Sequence, residues 1–270
     1  MSEMDSRESP SPSLTGGVNT TDGKYVYCII RLDRSRDFGE IGIGGGARVY
    51  TIVFTDLAAV VSDTPIVIYD PTRENVLAHE FVNETVMREF TLIPMSFGTV
   101  FRSERDVSVL LKSTYQAFTD VLEKMQDKIE FGLKILWDRD KVVASIERDN
   151  DEIRRLKDEI TRNAASSTYF ARMQLGRLVE AAMEEASNRY VVHVHEQLKD
   201  VSVASRSNKV IGDRMILNAA FLVDRKDEKS FDEKVKEISL KFEDLLTFKY
   251  TGPWPPYNFV NIKLKLEKAT

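Results

Sequence analysis

With 270 residues, 42% of them hydrophobic and 30% charged, the chain has the make-up of a globular protein of one large or two ordinary domains. A formal charge of −5, a pI near 5.5 and the lack of any Lys/Arg run argue against nucleic acid as a main partner, since phosphate binding needs a basic face. A single cysteine, Cys28, rules out an internal disulfide, and no apolar run of ~18 residues is present to span a membrane.

Residues 1–23 are rich in Ser, Pro, Gly and Thr and read as a disordered tail. They lack the basic and apolar regions of a secretory signal, so a cytoplasmic protein is expected. YVYCIIRL (25–32) is a β-branched and aromatic run bounded by Gly23 and Asp33, a buried strand. RSRDFGEIGIGGGA (34–47) reads as a glycine-rich flexible loop, and VYTIVF (49–54) and LAAVVS (57–62) as a hairpin turning at Thr55-Asp56. Thr72 is placed to cap a helix from Arg73 to about Phe90. TLIPMSFGTVF (91–101), carrying Pro94 and Gly98, reads as a broken extended segment, and Ser103 as the cap of a second helix reaching Met125.

KIEFGLKILWD (128–138) alternates as a strand should. The charged run 150–198 is predicted to be largely helical, with a break near Asn163 to Thr168 and part of its length standing out as an arm. VSVASR (201–206) and RMILNAAFLVD (214–224) read as strands, FDEKVKEISLKFEDLL (231–246) as a helix and TFKYTG (247–252) as a last strand. From Lys128 the order is therefore β-α-β-β-α-β, that of a ferredoxin-like sandwich. The fold class expected is α+β in two domains, 24–126 and 127–252, the second a modified ferredoxin-like sandwich with a long helical extension. Residues 253–270 follow as a proline and aromatic segment packing on or between the domains.

That segment opens with Pro253, Trp254, Pro255, Pro256, Tyr257 and Phe259. Proline fixes φ and removes donors, so this is a stiff extended ribbon with rings projecting from it. The rings either close over the core or meet a partner, aromatic surface being large contact area at low entropic cost. No catalytic set accompanies them. GIGGGA (42–47) matches G-x-G-x-x-[GA], but a strand rather than a helix follows, so no helix N-terminus awaits a phosphate. His193 and His195 diverge if helical and lack further ligands. His79-Glu80 is without the second histidine of a metalloprotease motif and reads as ordinary. Neither catalytic, cofactor-binding nor metal residues are assigned, and the chain is expected not to be an enzyme.

Several blocks together resemble the GvpF/GvpL family of gas vesicle proteins: YVYCII, LAAVVSDTP, LAHEFVNETVM, LIPMSFGTVF, GLKILWD and TGPWPPYNFV, in the same order along most of 24–260. Pro94, Met95, Phe97, Gly98 and Trp137 belong to these blocks and are implied to be structural. Ser96 departs from the family pattern, which commonly has a basic residue there, so any contact made by that residue elsewhere is not carried over. The resemblance implies an accessory or minor structural protein of gas vesicle assembly. It implies as partners the hydrophobic major shell protein and other gas vesicle accessory proteins, with no cofactor, no nucleic acid and no membrane. A small-ligand-binding regulatory module, by analogy to other ferredoxin-like domains, is the alternative.

Overall fold

The computed structural model describes residues 23–163 and 169–260, and mixes α-helices with two antiparallel sheets. The expected N-terminal tail, apart from Gly23, and residues 164–168 of the expected helix break lie outside the described residues, as do residues 261–270.

The first sheet has the strand order β2-β3-β4-β1-β5, built from β1 (Gly23–Arg31), β2 (Asp37–Gly42), β3 (Ala47–Phe54), β4 (Leu57–Thr64) and β5 (Leu92–Pro94), with β6 (Val100–Phe101) also paired to β1. Helix α1 (Arg73–Met87) covers one face; α2 (Glu104–Ser113) and α3 (Tyr115–Lys124) supply Val107, Leu111 and Phe118 to the other. A register shift between Val26 and Cys28 re-phases the alternation of β1, so Tyr25, Tyr27, Cys28 and Ile30 all join the α1 side while Val26 and Ile29 join the other. The capping readings hold: Thr72 Oγ1 accepts from the Asn75 N–H at 3.3 Å, and Ser103 Oγ from the Asp106 N–H at 3.2 Å.

Half of the expected loop 34–47 is strand. Asp37–Gly42 pairs with β3, and Ile43–Gly46 makes the turn between them, with Gly44, Gly45 and Gly46 at φ +82°, +90° and +93°. Only glycine holds three such angles in succession without strain, which is why this turn is written GGG.

The second sheet runs β10-β7-β9-β8, from β7 (Lys128–Trp137), β8 (Ala204–Ser207), β9 (Met215–Asp224) and β10 (Leu246–Trp254). Between β7 and β8 lie α4 (Arg139–Asp149), α5 (Asp151–Arg162) and α6 (Tyr169–Lys199); α7 (Glu228–Lys241) joins β9 to β10. Alternate residues Ile129, Phe131, Leu133 and Ile135 of β7 face the helices, where Phe131 stacks on Phe231 at 5.4 Å. Helix α6 spans ~46 Å at 1.5 Å per residue. Its buried residues, Met183, Ala186, Val194 and Leu198, all fall in the second part, so the first part and α5 extend beyond the sheet.

Several boundaries differ from expectation. Helix α4 precedes the expected helical run, capped by Asp138 Oδ1 on the Lys141 N–H at 3.3 Å, and Asn150 separates it from α5 by capping the latter. Strand β8 begins at Ala204 rather than at 201, because Val201 and Ser202 donate back to Leu198 and Lys199 as the helix ends. Helix α7 starts and stops earlier than 231–246, leaving Leu246 to pair with Trp137.

The last strand runs past Gly252 to Trp254, which pairs with Glu130 across a register shift and includes the cis Gly252–Pro253 peptide. The ribbon therefore begins inside the sheet. Gly252 has φ +125°, and a Cβ there would stand 2.8 Å from the Glu130 carbonyl oxygen and 2.8 Å from Phe131 Cδ1. Gly252→Ala is accordingly expected to lower unfolding stability by about 1–3 kcal/mol. An unchanged denaturant midpoint would contradict this close approach.

Candidate functional site

The two blocks PMSFGTVF and TGPWPPYNFV, far apart in sequence, meet around His79. The imidazole is 1% exposed, on the face of α1 that packs over β1. Its Nδ1 lies 3.0 Å from the Tyr25 hydroxyl, which accepts the Gly98 N–H at 2.9 Å. Its Nε2 accepts from Asn83 Nδ2 at 3.0 Å, which fits the neutral tautomer protonated on Nδ1. Burial holds the imidazole well below its ordinary 6.5, at about 4. The rings of Tyr25, Tyr27 and Phe97 surround it, their centroids 5.7, 5.7 and 5.9 Å away.

Tyr257 enters this cluster from the ribbon. Its hydroxyl accepts from Asn83 Nδ2 at 2.9 Å and donates to Glu80 Oε1 at 3.0 Å. Burial, reinforced by the Glu80 charge, pushes the phenol upward, and burial raises the Glu80 carboxyl. Glu80 Oε2 and Asn83 Oδ1 are buried with no hydrogen-bond partner among the described residues. Beside them Tyr27 receives the Ile43 N–H at 2.8 Å and lies 2.9 Å from Ser62 Oγ, tying the glycine turn to the same cluster.

The next residue, Asn258, fastens the ribbon to the second sheet. Its N–H and Nδ2 donate to the two oxygens of Glu130 at 2.7 and 2.6 Å. Its carbonyl accepts from Arg206 at 2.6 Å and its Oδ1 from Asn208 at 3.2 Å. Glu130 is a buried carboxylate whose burial raises its pKa while these two donors oppose the rise. Tyr257 thus grips α1 of the first half, and Asn258 grips β7 and β8 of the second. Val260 ends the described ribbon against the α2–α3 face of the first sheet.

The structure brings Pro94, Met95, Phe97, Gly98 and Tyr257 into one neighbourhood, with Pro94 paired to Cys28 and Met95 donating its N–H to the Tyr27 carbonyl at 2.9 Å. Pro255 and Pro256 are buried; Pro253, Trp254 and Phe259 are half-buried, and Ser96 is exposed. Trp137 lies apart, at the other end of β7, donating Nε1–H to the Asp213 carbonyl at 3.0 Å. His193 and His195 bond separately to Gln197 and Ser205, and among the described residues no group of three or more His, Cys, Asp or Glu side chains is placed to hold a metal.

Sequence reasoning missed Tyr25, Asn83, Glu130 and Asn258. One signal was present: a glutamate inside the apolar strand KIEFGLKILW asks for a partner, and Asn258 is that partner. Chemically, the hydrogen bonds within this cluster join secondary-structure elements to one another. The arrangement fixes two sheets against each other.

A family model described as gas vesicle synthesis protein GvpL/GvpF matches residues 23–261. Gas vesicle protein F1 of Halobacterium salinarum is 30% identical over 92% of this chain and 97% of its own length. Gas vesicle protein F2 of the same organism is 29% identical over 91% and 95%. The fold is similar to the crystal structure of the gas vesicle protein GvpF from Anabaena sp. PCC7120, with a TM-score of 0.79, 24% identity, and 90% of this chain and 100% of that one covered. No helix among the described residues is long and apolar enough to cross a membrane. The chain belongs to the GvpL/GvpF family of gas vesicle synthesis proteins.

Proposed function

We propose that this protein is a non-enzymatic accessory or minor structural component of gas vesicle assembly, acting in the cytoplasm and at the vesicle. Its partners are the hydrophobic major shell protein and other gas vesicle proteins. The observation that carries this reading is what becomes of the family blocks: all but the one holding Trp137 meet in a buried lock between two sheets, and among the described residues they build no cluster of three or more metal-ligating side chains. Such a molecule works through the surfaces it holds in place. A subunit whose apolar face will line gas needs a partner that covers that face before it joins the wall.

We further read the two sheets as two domains, 24–126 and 127–252, with the second a modified ferredoxin-like sandwich carrying a helical arm. The strand order β10-β7-β9-β8, all antiparallel, supports that reading. Within residues 253–260 the work is divided. Pro255, Pro256 and Tyr257 serve the lock, while Trp254 presents ring surface to a partner. Phe259 and Pro253 flank them.

The test is a clean deletion in a vesicle-forming host that carries no related gene, with tagged protein used to capture the major shell subunit. Loss of vesicles and recovery of the shell subunit are expected. Normal vesicles in that strain would overturn the proposal.

A further inference from the structure

A groove of about 1040 Å³ lies on the outside of the lock, between α1 and the glycine turn at Ile43–Gly46. Its apolar wall is formed by Leu77 and Phe81, one helical turn apart and 56% and 48% exposed, with Trp254 alongside. Two large apolar side chains held half in water on one stripe are a surface that gains by being covered. The glycine turn makes the opposite wall. A Cβ at Gly45 would meet nothing within 4 Å, so bare backbone faces outward and another chain can approach closely.

The rim has one sign of charge. Glu40, Glu74, Glu80 and Glu84 line the groove, and no lysine or arginine among the described residues does. Glu74 and Glu84 flank the Leu77–Phe81 pair along the same stripe of α1. Glu80 and Glu84, four residues apart, repel each other, and the Glu84 charge adds to the raising of the Glu80 carboxyl. Arg48, whose field reaches Glu40, is itself bonded to Asp37 at 2.7 Å. Glu80 also keeps one buried oxygen, Oε2, that no donor among the described residues satisfies.

We infer that this groove docks an amphipathic helix of a partner protein, its aliphatic face on Leu77, Phe81 and Trp254 and its flanking lysines or arginines on the glutamates. A helix of this kind supplies both things the groove lacks, apolar cover and positive charge. The inference rests on the reading of the chain as an interaction protein and adds the chemistry of its partner.

The test uses the full chain and two synthetic helical peptides, one of leucine and lysine and one of leucine and glutamate, titrated calorimetrically. The leucine–lysine peptide is expected to bind, and the leucine–glutamate peptide to fail. The double variants Leu77→Ser/Phe81→Ser and Glu74→Gln/Glu84→Gln should each weaken binding at least about tenfold. All four sites are exposed or half-buried on α1, and a thermal melt verifies that both variants fold. Equal affinity in wild type and both variants overturns the inference, since the cationic peptide is then held elsewhere. Self-association of the wild type that Phe81→Ser abolishes overturns it too, by naming a second copy as the occupant. If deletion abolishes vesicles while the variants bind normally, the groove assignment alone fails. If the groove behaves as expected and the deletion strain makes normal vesicles, the functional reading alone fails.

Discussion

Tyr257→Ala is expected to destabilise the protein by about 3 kcal/mol, the low end for truncating a packed aromatic because this ring is only half-buried. Tyr257→Phe, which keeps the ring, should cost about 1–3 kcal/mol through the hydroxyl alone. The hydroxyl stands between a donor and a charged acceptor, Asn83 Nδ2 at 2.9 Å and Glu80 Oε1 at 3.0 Å. Removing it breaks both bonds next to Glu80 Oε2 and Asn83 Oδ1, which have no hydrogen-bond partner among the described residues. The neighbouring Asn258 anchors the same turn to Glu130, so the loss at Tyr257 also loosens the ribbon's hold on the second sheet. Urea denaturation followed by circular dichroism measures both variants. A Tyr257→Ala midpoint matching the wild type would show that the ribbon merely lies between the sheets.

How far the sequence foretells this arrangement depends on which forces leave a local mark. Strands β1, β4, β7 and β9 and helix α1 were readable because burial leaves a local mark on each: an unbroken apolar run in β1, β4 and β9, alternation in β7 and a helical stripe in α1. Strand β2 was not. DFGEIG pairs with β3 alone at the sheet edge, its burial is partial, and two glycines and two acids erase the alternation. Helix α4 was missed although Asp138 offered a cap and Val142, Val143 and Ile146 a stripe.

The site was legible only in fragments. The blocks around Pro94 and Trp254 were singled out, but their meeting place is set by contacts 54 and 174 residues apart, Tyr25 to His79 and Asn83 to Tyr257, which no local pattern encodes. His79 looked ordinary for the same reason: a lone histidine acquires meaning from partners that only the fold supplies. The ribbon's composition allows one ring to be buried and another exposed but does not say which, and the strand's extension to Trp254 separates them. Trp254 stays with the sheet edge and the groove, and Tyr257, past two buried prolines, turns inward.

The buried histidine makes the protein acid-sensitive in a way that can be isolated. His79 is neutral when folded, its pKa lowered from 6.5 to about 4 by burial. For a base whose folded pKa is depressed, the unfolded chain binds more protons below about 6.5, so the stabilising contribution is complete above that pH. It is lost as the pH falls from about 6.5 to 4, by about 3 kcal/mol. Glu80 and Glu130, whose pKa values are raised, act in the opposite direction, gaining stability as the pH falls and masking part of the slope. His79→Gln removes only the titration, so the difference in unfolding free energy between wild type and this variant should shrink by about 3 kcal/mol from pH 7 to pH 4. A difference that stays flat across that range rejects the idea. The geometry also says what breaks first. Protonation would set Nε2–H against the Asn83 Nδ2–H that now donates to it, so the amide must turn and offer its Oδ1 instead, an acceptor that no donor among the described residues occupies. That rotation withdraws Nδ2 from Tyr257, so the pH-dependent loss and the loss caused by Tyr257→Phe should be less than additive when combined.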